Sequence, residues 1–396
     1  MEVKPGYKRT EVGVIPEEWE VVATADLVEP TAPICYGVVQ VGQDTNGGVP
    51  IVAIKYVKEI ASSPLHRTSA TLEQPYARSR VRGGDVLISI KGTIGRVGIV
   101  PEGFEGNISR ELARLRLKPN YSAEYVAQQL EADLTQGRIA RSVVGTTRLE
   151  FSIATLRKFE LAVPTSRDEQ RSIATALSDM AGLLGGLNRL IAKKRDLKQA
   201  ARQQLLTGQT RLPGFHGEWA VKLLRDCARF CSGTYLAQAA YRDGEFEVQG
   251  AGGPMGKHVA ANFPEPISVI GRVGTVGRPR FIPNGCWVNN NAAAVAAIPG
   301  IASPRFIHLL LMTMDWGRAT SVTAQPFLVV ESLMKMEFAL PPVPEQNAIA
   351  EALAEMDAEL AALEQWREKT HNLKQAVMQE LLTGKTRLIG SQEAAA

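Results

Sequence analysis

Two long stretches of the chain place apolar residues at spacings that alternate between four and three. In the first stretch these positions are Ile173, Leu177, Met180, Leu184, Leu187, Leu190, Leu197, Ala201 and Leu205. In the second they are Ile349, Leu353, Met356, Leu360, Leu363, Trp366, Leu373, Val377 and Leu381. Both runs are interrupted at the same place, at Lys194 and at Thr370. The spacing is typical of a coiled-coil seam. Together with the matched interruption, it predicts two long helices that pack on each other in antiparallel orientation.

Residues typical of helix ends bound both stretches. Ser166 and Glu169 have the spacing of a capping box, and Pro344 suits a first helical turn. Gly208 and Gly384 suit the left-handed position just beyond a helix. Between such ends, each helix would be far longer than the typical ~11 residues of a globular protein.

The two stretches are copies of each other. LKQAARQQLLTGQTRL begins at Leu197 and LKQAVMQELLTGKTRL begins at Leu373. The match extends upstream without a gap to Gln170 and Gln346, at a constant offset (346 − 170 = 176). A weaker similarity lies upstream of each copy, where KGTIG in the first half resembles VGTVG in the second. Such self-similarity indicates a tandem duplication of a unit of about 180 to 200 residues.

The rest of the chain has the sequence pattern of short strands separated by turns. The β-rich runs VLISI, VGIV, ISVI and AAAVAAI alternate with Gly, Pro and Asn, and short helices are predicted at 123–134 and 304–314. We therefore predict an α+β fold in which two α/β globules are separated by two long antiparallel coiled-coil helices, with an internal pseudo-two-fold repeat. The predicted boundaries are a first globule at 1–155, a central region with a long helix at 156–212, a second globule at 213–332 and a C-terminal region with a long helix at 333–390.

Composition is that of an ordinary globular protein, with 45% hydrophobic and 22% charged residues. The sequence has no apolar run near the ~20 residues that span a bilayer, and MEVKPGYKRT lacks the apolar segment of a signal peptide. We therefore expect a cytoplasmic protein with no membrane partner. A net charge of +4 and a pI near 8.8 allow a polyanionic partner without requiring one. Cys227 and Cys231 could form half of a zinc site, but other ligands are scarce, so we expect core thiols and no metal.

Familiar catalytic motifs are missing from the sequence. It has no GxxxxGK[ST] or HExxH motif, and no NPPY or DPPY tetrapeptide of an amino-methyltransferase. GAGGPMG has Met255 where a dinucleotide-binding loop needs its third glycine, so it predicts a turn-rich hairpin. Asp85 and Lys91 resemble part of a nuclease motif, but Ser89 stands where a second metal-binding acid would be. The economical interpretation is a noncatalytic chain.

Each long helix begins after a similar motif, PTSRDEQRSIATAL in the first copy and PPVPEQNAIAEAL in the second, and each ends in LLTG-x-TRL. YKRTEVGVIPEEWEVV and TRLPGFHGEWAV stand before the two globules. The doubled pattern covers essentially the whole chain. It resembles the specificity (S) subunit of type I restriction-modification systems, whose target-recognition domains have similar openings.

The resemblance implies two target-recognition domains, each reading one half of a bipartite site in double-stranded DNA. The two helices would set the spacer between the half-sites and dock partner subunits. The implied partners are two methylation (M) subunits and, through them, restriction (R) subunits. S-adenosylmethionine, ATP and Mg²⁺ are expected in those partners, and no cofactor is expected in this chain.

DNA recognition needs basic side chains for phosphates and basic or amide side chains for base edges, placed on loops. In the first globule the candidates are Lys55, Arg67, Arg78, Arg80, Lys91, Thr93, Arg96 and Arg110. In the second they are Gln249, Lys257, His258, Arg272, Arg278, Asn289, Asn290 and Gln325.

Two other interpretations remain open from the sequence. The chain could be a coiled-coil interaction scaffold that does not bind DNA, or a fused enzyme with an unrecognised site. A steep dependence of DNA affinity on salt would argue against the scaffold. Binding of S-adenosylmethionine or a nucleotide by the isolated chain would favour the enzyme.

Overall fold

The computed structural model describes residues 4–143, 150–321 and 326–388. The chain divides into two compact units. The first unit comprises residues up to Gly186 together with those from Arg367 onward, and the second comprises Leu187–Trp366. Each unit therefore holds one globule, the start of one long helix and the end of the other.

The first globule is a mixture of short strands and short helices. Its strands are β1 (Tyr7–Thr10), β2 (Gly13–Pro16), β3 (Glu20–Ala23), β4 (Cys35–Tyr36), β5 (Val49–Val52), β6 (His66–Thr68), β7 (Val86–Ser89), β8 (Val97–Ile99), β9 (Asn107–Ile108), β10 (Leu112–Leu115) and β11 (Glu160–Val163). Its helices are α1 (Thr24–Leu27), α2 (Ala70–Glu73), α3 (Ala123–Glu131), α4 (Asp133–Ser142) and α5 (Ile153–Lys158).

The long helix α6 (Arg167–Thr207) leads into the second globule, which is followed by the long helix α10 (Val343–Leu382). The strands of this globule are β12 (Ala220–Leu223), β13 (Ala228–Ser232), β14 (Phe246–Gly250), β15 (Gly253–His258), β16 (Ile267–Gly271), β17 (Arg280–Ile282), β18 (Trp287–Val288), β19 (Ala292–Ala297) and β20 (Glu337–Leu340). Its helices are α7 (Leu224–Cys227), α8 (Pro304–Thr313) and α9 (Val330–Met334).

The two globules share one topology. The first has a four-stranded sheet in the order β4-β10-β7-β8, a three-stranded sheet β6-β5-β9 and a pair β3-β11. The second has β13-β19-β16-β17, β15-β14-β18 and β12-β20 in the corresponding places. The parallel pairing of β5 with β9 recurs between β14 and β18. The duplication therefore includes the globules, and the predicted α+β class with an internal repeat is confirmed.

The central strands β7 and β16 are short apolar runs whose burial is expected from their sequences. Every residue of β7 and of β16 is buried, as expected of short apolar runs that are covered on both faces. In the first globule, α3 packs against this core, with Tyr125 fully buried and 6.4 Å from the ring of Trp19. The predicted hairpin at GAGGPMG is confirmed, because β14 and β15 pair in antiparallel fashion across it.

The two long helices have 41 and 40 residues, about 60 Å each at the helical rise. Beyond their ends, Gly208 and Gly384 adopt φ of 72° and 69°, the left-handed conformation that favours glycine. At the start of α6, the backbone N–H of Glu169 donates to Ser166 Oγ at 3.4 Å. The helix ends predicted from the sequence are therefore present.

The helices run antiparallel within the second unit. Leu205 and Leu206, at the end of α6, share a buried cluster with Ile349 and Leu353, at the start of α10. The first unit has the reciprocal arrangement: Ile173 and Leu177, at the start of α6, share a buried cluster with Leu381 and Leu382, at the end of α10. The predicted antiparallel pairing is confirmed in both units.

The predicted seam is wrong at Leu190, Leu197, Trp366 and Leu373, whose side chains are 39%, 48%, 50% and 57% exposed. Thr370 is instead buried, and Lys194 forms an ion pair of 2.7 Å with Glu359 of the other helix. The seam therefore passes through the two positions that interrupt the apolar pattern.

The shift has a geometric cause. Lys198, four residues after Lys194, forms an ion pair with Asp357 of α10. On the observed seam, Lys194 is followed by Lys198, four residues later, and not by Leu197, three residues later. Since successive residues are about 100° apart around a helix, this choice turns Leu197 away from the partner helix.

Replacing Leu360 by aspartate should destabilise the second unit. Leu360 is 8% exposed on the corrected seam, and an unpaired carboxylate buried there should cost about 3 kcal/mol. At roughly 2 to 4 °C per kcal/mol, thermal unfolding monitored by circular dichroism should shift down by about 6 to 12 °C. Leu373→Asp is the matched control, because its side chain is already in solvent, and it should change the midpoint by less than ~2 °C. Equal shifts for both variants would contradict the corrected seam.

The repeated glutamates and arginines of the two motifs pair crosswise. Arg387, after the end of α10, forms a bidentate ion pair with Glu169 at the start of α6 in the first unit. In the second unit Arg211, after the end of α6, makes the equivalent pair with Glu345 at the start of α10. The carboxylates of Glu169 and Glu345 are buried. Each TRL segment is therefore fixed to the beginning of the other helix.

The repeated glutamines join each helix start to its own globule. Gln170 Oε1 accepts from the backbone N–H of Ser122 at 2.9 Å, and its Nε2 donates to the carbonyl of Pro164. Gln346 makes the same two bonds, accepting from Ser303 at 2.8 Å and donating to the carbonyl of Pro341. The EQ pair of each copy is thus explained by two contacts, one with a helix end and one with a globule.

Candidate nucleic-acid interface

Three predicted basic residues of the first globule lie where neighbouring strands end. Lys55 follows β5, Arg110 follows β9 and Lys91 follows β7. Because β5 and β9 are parallel, their carboxyl ends meet at one edge of the sheet. The backbone N–H of Ile90 donates to the carbonyl of Glu111 at 2.8 Å, which brings the end of β7 to the same place. We call Lys55, Lys91 and Arg110 the first edge.

The cations of the first edge are only loosely held within the protein. Lys91 lies 3.3 Å from Glu150, and Arg110 lies 3.1 Å from Glu111, in pairs with substantially exposed side chains. Lys55 Nζ lies 4.5 Å above the ring of Tyr56. Exposed ion pairs of this kind contribute about 0 to 1 kcal/mol, so these side chains can exchange their partners for phosphate oxygens.

Arg80 is held more firmly than the first-edge cations. Its guanidinium donates two bonds, of 2.8 and 2.6 Å, to the carboxylate of Glu73, which is fully buried and also accepts from Asn107. The bonds from Arg80 hold the pKa of Glu73 below its ordinary value. The stabilisation from this lowered pKa is therefore present at neutral pH and is lost as the pH falls through the folded-state pKa. Arg80 is predicted as a DNA contact, and the structure also gives it this structural role.

Arg67 and Arg78 are exposed on the same globule. Arg67 is in β6, where its backbone N–H donates to Asp44 Oδ1 at 2.7 Å and its Nη1 donates to the carbonyl of Gly48 at 2.9 Å. Arg78 lies in the turn of 3₁₀ helix that follows α2. Its side chain is available to a ligand, because its hydrogen bonds with the described residues use only its backbone carbonyl.

A buried arginine that sequence reasoning missed supports the Arg78–Arg80 segment. Arg114 Nη1 donates to the carbonyls of Arg78 and Arg80 at 2.9 and 3.0 Å, and Nη2 donates to the carbonyl of Pro33. Burial lowers the pKa of Arg114. Its neighbour Arg116 binds Asp85, so the acid of the apparent nuclease motif is part of this support. The available signal was the LARLRL run, in which a charged residue interrupts a buried strand.

The second globule has a corresponding edge. Arg272 follows β16 and Asn290 follows β18, while β14 and β18 are parallel and end together. The backbone N–H of Arg272 donates to the carbonyl of Asn291 at 3.0 Å, which joins the two strand ends. Asn290 is exposed, and Arg272 is half-buried, with Nη1 donating to Ser232 Oγ at 3.2 Å. We call Arg272 and Asn290 the second edge.

Lys257 and His258 lie at the opposite end of the β14–β15 hairpin, because they pair with the first residues of β14. His258 Nδ1 accepts from the backbone N–H of Ala260 at 3.1 Å, and its ring lies 5.2 Å from that of Trp287. Lys257 is exposed. The structure therefore separates these two candidates from the second edge.

The prediction that Gln249 and Asn289 present their amides to a ligand is wrong. Both side chains are buried, at 1% and 3% exposure. Gln249 Nε2 donates to Glu247 and its Oε1 accepts from Arg280, while Asn289 exchanges bonds with the backbone of Leu236. Their hydrogen-bonding capacity is used to hold loops, because a buried amide is costly without partners.

Arg280, which is half-buried, is a second arginine that sequence reasoning missed. Its guanidinium donates to the carbonyls of Gly250 and Ala251, at the turn of the β14–β15 hairpin. Burial lowers the pKa of Arg280. Arg278, in the turn between β16 and β17, is exposed, and the candidate Gln325 lies outside the described residues.

Two cysteines of the second globule, Cys227 and Cys286, are buried. Burial raises the pKa of Cys227 to about 11 and that of Cys286 to about 12, so both thiols are protonated at neutral pH. Within residues 4–143, 150–321 and 326–388, no group of three or more His, Cys, Asp or Glu is placed to hold a metal ion. No helix in these ranges is long and apolar enough to cross a membrane.

Comparison with known proteins finds one family in both halves of the chain. A family model described as type I restriction modification DNA specificity domain matches residues 16–192 and again residues 217–372. The chain is 26% identical to the type I restriction enzyme EcoBI specificity subunit of Escherichia coli, over 61% of this chain and 50% of that protein. It thus spans about half the length of this relative. It is 23% identical to the putative type I restriction enzyme MjaX specificity subunit of Methanocaldococcus jannaschii, over 96% of this chain and 97% of that one.

Solved structures show the same fold over nearly the full length. The S subunit of a type I restriction-modification system from M. genitalium aligns with a TM-score of 0.60 at 15% identity, covering 96% of this chain and 98% of that one. The HsdS subunit from Thermoanaerobacter tengcongensis aligns with a TM-score of 0.54 at 17% identity, covering 94% and 98%. The fold, with its two globules and two long helices, is therefore shared with these proteins.

Proposed function

Because the chain belongs to the family of type I restriction modification DNA specificity domains, we propose that it is the DNA sequence-specificity subunit of a type I restriction-modification complex. Each globule reads one half of a bipartite site. The observation that carries this proposal is the doubled family match, with one copy for each globule. The two globules share one topology but place different side chains at corresponding edges.

Recognition uses the loops at the strand ends. The cations of the first edge and Arg272 of the second bind phosphates and fix each globule on the duplex, while exposed amides such as Asn290 suit base edges. Arg114, which is buried, and Arg280, which is half-buried, keep these loops rigid. A rigid loop loses less conformational entropy on binding.

The chain itself is proposed to be noncatalytic and cytoplasmic. Methylation and cleavage belong to partner subunits, which bind S-adenosylmethionine, ATP and Mg²⁺. The two long helices set the number of unread base pairs between the half-sites, because a helix transmits length at about 1.5 Å per residue.

Two methylation subunits dock on this chain, and a repeated groove supports that number. In the first unit, a groove of about 550 Å³ is lined by Gln375, Met378, Gln379 and Leu382 of α10 together with residues of α4. In the second unit, a groove of about 570 Å³ is lined by Gln199, Arg202, Gln203 and Leu206 of α6 together with residues of α8. These helix positions correspond at the offset of the sequence repeat (375 − 199 = 176). The matching helix walls suit two copies of one partner, whereas the opposite walls differ, because the first groove is also lined by the β1–β2 hairpin.

Exposed apolar residues on the outer faces of the helices extend the docking surface. On α6 they are Leu183, Leu190 and Leu197, spaced by seven, and on α10 they are Trp366 and Leu373, also spaced by seven. This spacing is that of a second coiled-coil seam. Leu373→Asp should therefore weaken association with the methylation subunit while leaving the thermal midpoint unchanged.

A salt series of DNA affinity tests the proposal against the scaffold alternative. The full chain with its methylation subunits is titrated with a duplex of about 40 base pairs, and binding is followed by fluorescence anisotropy. We expect log affinity to fall linearly with log salt, with a slope of roughly −5 or steeper, since the slope is about −0.9 for each phosphate neutralised. A slope near zero, or no binding, would favour the scaffold. Binding of S-adenosylmethionine by the isolated chain would favour a fused enzyme.

A further inference from the structure

One short turn is repeated in both globules. KGTIGR connects β7 to β8, and VGTVGR connects β16 to β17. Thr93 and Arg96 of the first turn correspond to Thr275 and Arg278 of the second (275 − 93 = 182 and 278 − 96 = 182). We call these the two GTxGR turns.

The glycines of the turns are explained by the fold. The first glycines, Gly92 and Gly274, have φ of 72° and 77°, and the second, Gly95 and Gly277, have φ of 84° and 77°. Such angles favour glycine. A Cβ on Gly95 would lie 2.4 Å from the side chain of Gln136, and one on Gly277 would lie 2.4 Å from that of Trp316. The glycines are therefore needed to form each turn and to pack it on its globule.

The threonines and arginines have no such explanation inside the protein. Within the described residues, the side chains of Thr93, Arg96, Thr275 and Arg278 have no hydrogen bond or ion pair. Thr93 and Arg278 are exposed, and the other two are half-buried. The same hydroxyl and guanidinium are thus presented, without an internal partner, at the same positions of both globules.

The hydrogen bonds that hold the two turns also differ. A contact common to both globules therefore does not explain why both turns have a threonine and an arginine. In the first turn, Ser89 Oγ donates to the carbonyl of Thr93 and accepts from the backbone N–H of Arg96 at 2.8 Å. In the second turn, Gly271 takes the place of this serine, and the backbone N–H of Gly274 donates to the carbonyl of Pro326 at 2.9 Å. Apart from their glycines, the two turns share only the threonine hydroxyl and the arginine guanidinium.

We infer that the two GTxGR turns bind DNA phosphates, as one sequence-neutral contact in each half-site; this inference rests on the proposed function. Globules that read different bases have only the sugar-phosphate backbone of their half-sites in common. A guanidinium beside a hydroxyl on a glycine turn suits a phosphate, because it combines a cation with a neutral donor. Arg96 and Arg278 therefore set affinity and register, and other residues choose the bases.

Substitutions at the two arginines test the inference in the full complex with the methylation subunits, on a duplex that carries its methylated motif. Arg96→Ala and Arg278→Ala should each weaken binding about 3- to 30-fold and reduce the magnitude of the log–log salt slope by about 0.9, and the double variant should reduce it by about 1.8. Arg96→Lys should keep most of the slope, because a phosphate accepts either cation whereas a bidentate base contact needs arginine. The control Arg9→Ala removes the same charge from the β1–β2 hairpin, which has no counterpart among the described strands of the second globule, and should leave the slope unchanged.

Methylome sequencing of cells that carry each variant provides the second readout. The inference predicts the wild-type motif at lower occupancy. A motif relaxed at one position of one half-site would overturn it in favour of base reading. Loss of the methylation subunit from the purified complex, with DNA affinity otherwise retained, would overturn it in favour of a protein contact. If the wild-type complex itself binds no DNA, the proposed function fails and this inference fails with it, whereas an unchanged slope in the variants overturns the inference alone.

Discussion

Replacing Arg387 by alanine should lower the free energy of unfolding of the first unit by about 3 to 5 kcal/mol, because it leaves a buried carboxylate without its cation. Glu169 is 4% exposed and receives two bonds from Arg387. At roughly 2 to 4 °C per kcal/mol, the midpoint of thermal unfolding should fall by about 6 to 20 °C. Arg211→Ala should destabilise the second unit by a similar amount, because it leaves Glu345 without its ion-pair partner.

The cycle with Glu169→Gln separates the ion pair from the packing of the arginine side chain. The double variant Arg387→Ala with Glu169→Gln should recover part of the loss, because a neutral amide is less costly to bury than a carboxylate. Lys385→Ala is the matched control: Lys385 is close to Arg387 in the chain, and its pair with Glu380 is 3.6 Å long and substantially exposed. It should change stability by less than about 0.5 kcal/mol. A midpoint for Arg387→Ala within ~2 °C of the wild type would show that the crosswise pairs do not hold the helix ends.

Inserting four residues into both long helices should lengthen the unread spacer of the DNA site by one or two base pairs. The insertions belong between Asp196 and Leu197 of α6 and between Ala358 and Glu359 of α10. The flanking ion pairs, Lys198 with Asp357 and Lys194 with Glu359, show that these segments face each other. Four residues add about 6 Å and turn the helix by about 400°, which leaves the facing side nearly unchanged. The added length approaches two base-pair steps of ~3.4 Å.

Insertion of two residues at the same points is the matched comparison. It adds only about 3 Å but rotates the following part of each helix by about 200°. The two globules should then be unable to engage one face of the duplex, and methylation of the site should be abolished. An active four-residue variant that methylates the original motif with its original spacer would mean that the helices do not set the spacing.

The architecture could be predicted from the sequence because duplication and periodicity both survive as local patterns. The apolar spacing of each long helix and the terminal glycines Gly208 and Gly384 are visible without knowledge of any contact. The seam failed from Leu190 onward, because buried Ile191 takes its place and the next seam positions are the polar residues Lys194 and Lys198. A polar residue on a seam is stabilised by its cross-helix partner. The pair of Lys194 with Glu359 joins positions 165 residues apart in sequence (359 − 194 = 165), which an apolar pattern cannot reveal.

The recognition surface was less predictable than the fold for the same reason. In the sequence, Gln249 resembles an exposed residue that could contact a DNA base. Its amide is instead buried and is bound by Glu247 and Arg280. Burial of a polar side chain depends on which other strands cover it. In contrast, Arg114 and Arg280 resemble surface cations in sequence but hold the backbone of loops. Residues that belong to a repeat, such as those of the GTxGR turns, are more informative, since two different globules constrain their interpretation.

Exchange of one globule tests the central claim most directly. Residues 1–155 are replaced by the corresponding globule of a relative that methylates a different motif, the hybrid is expressed with its methylation subunits, and the methylated motif is read by methylome sequencing. We expect one half of the motif to change to that of the donor, while the other half keeps its bases. A motif that changes in both halves, or in neither, would contradict a chain in which each globule reads its own half-site.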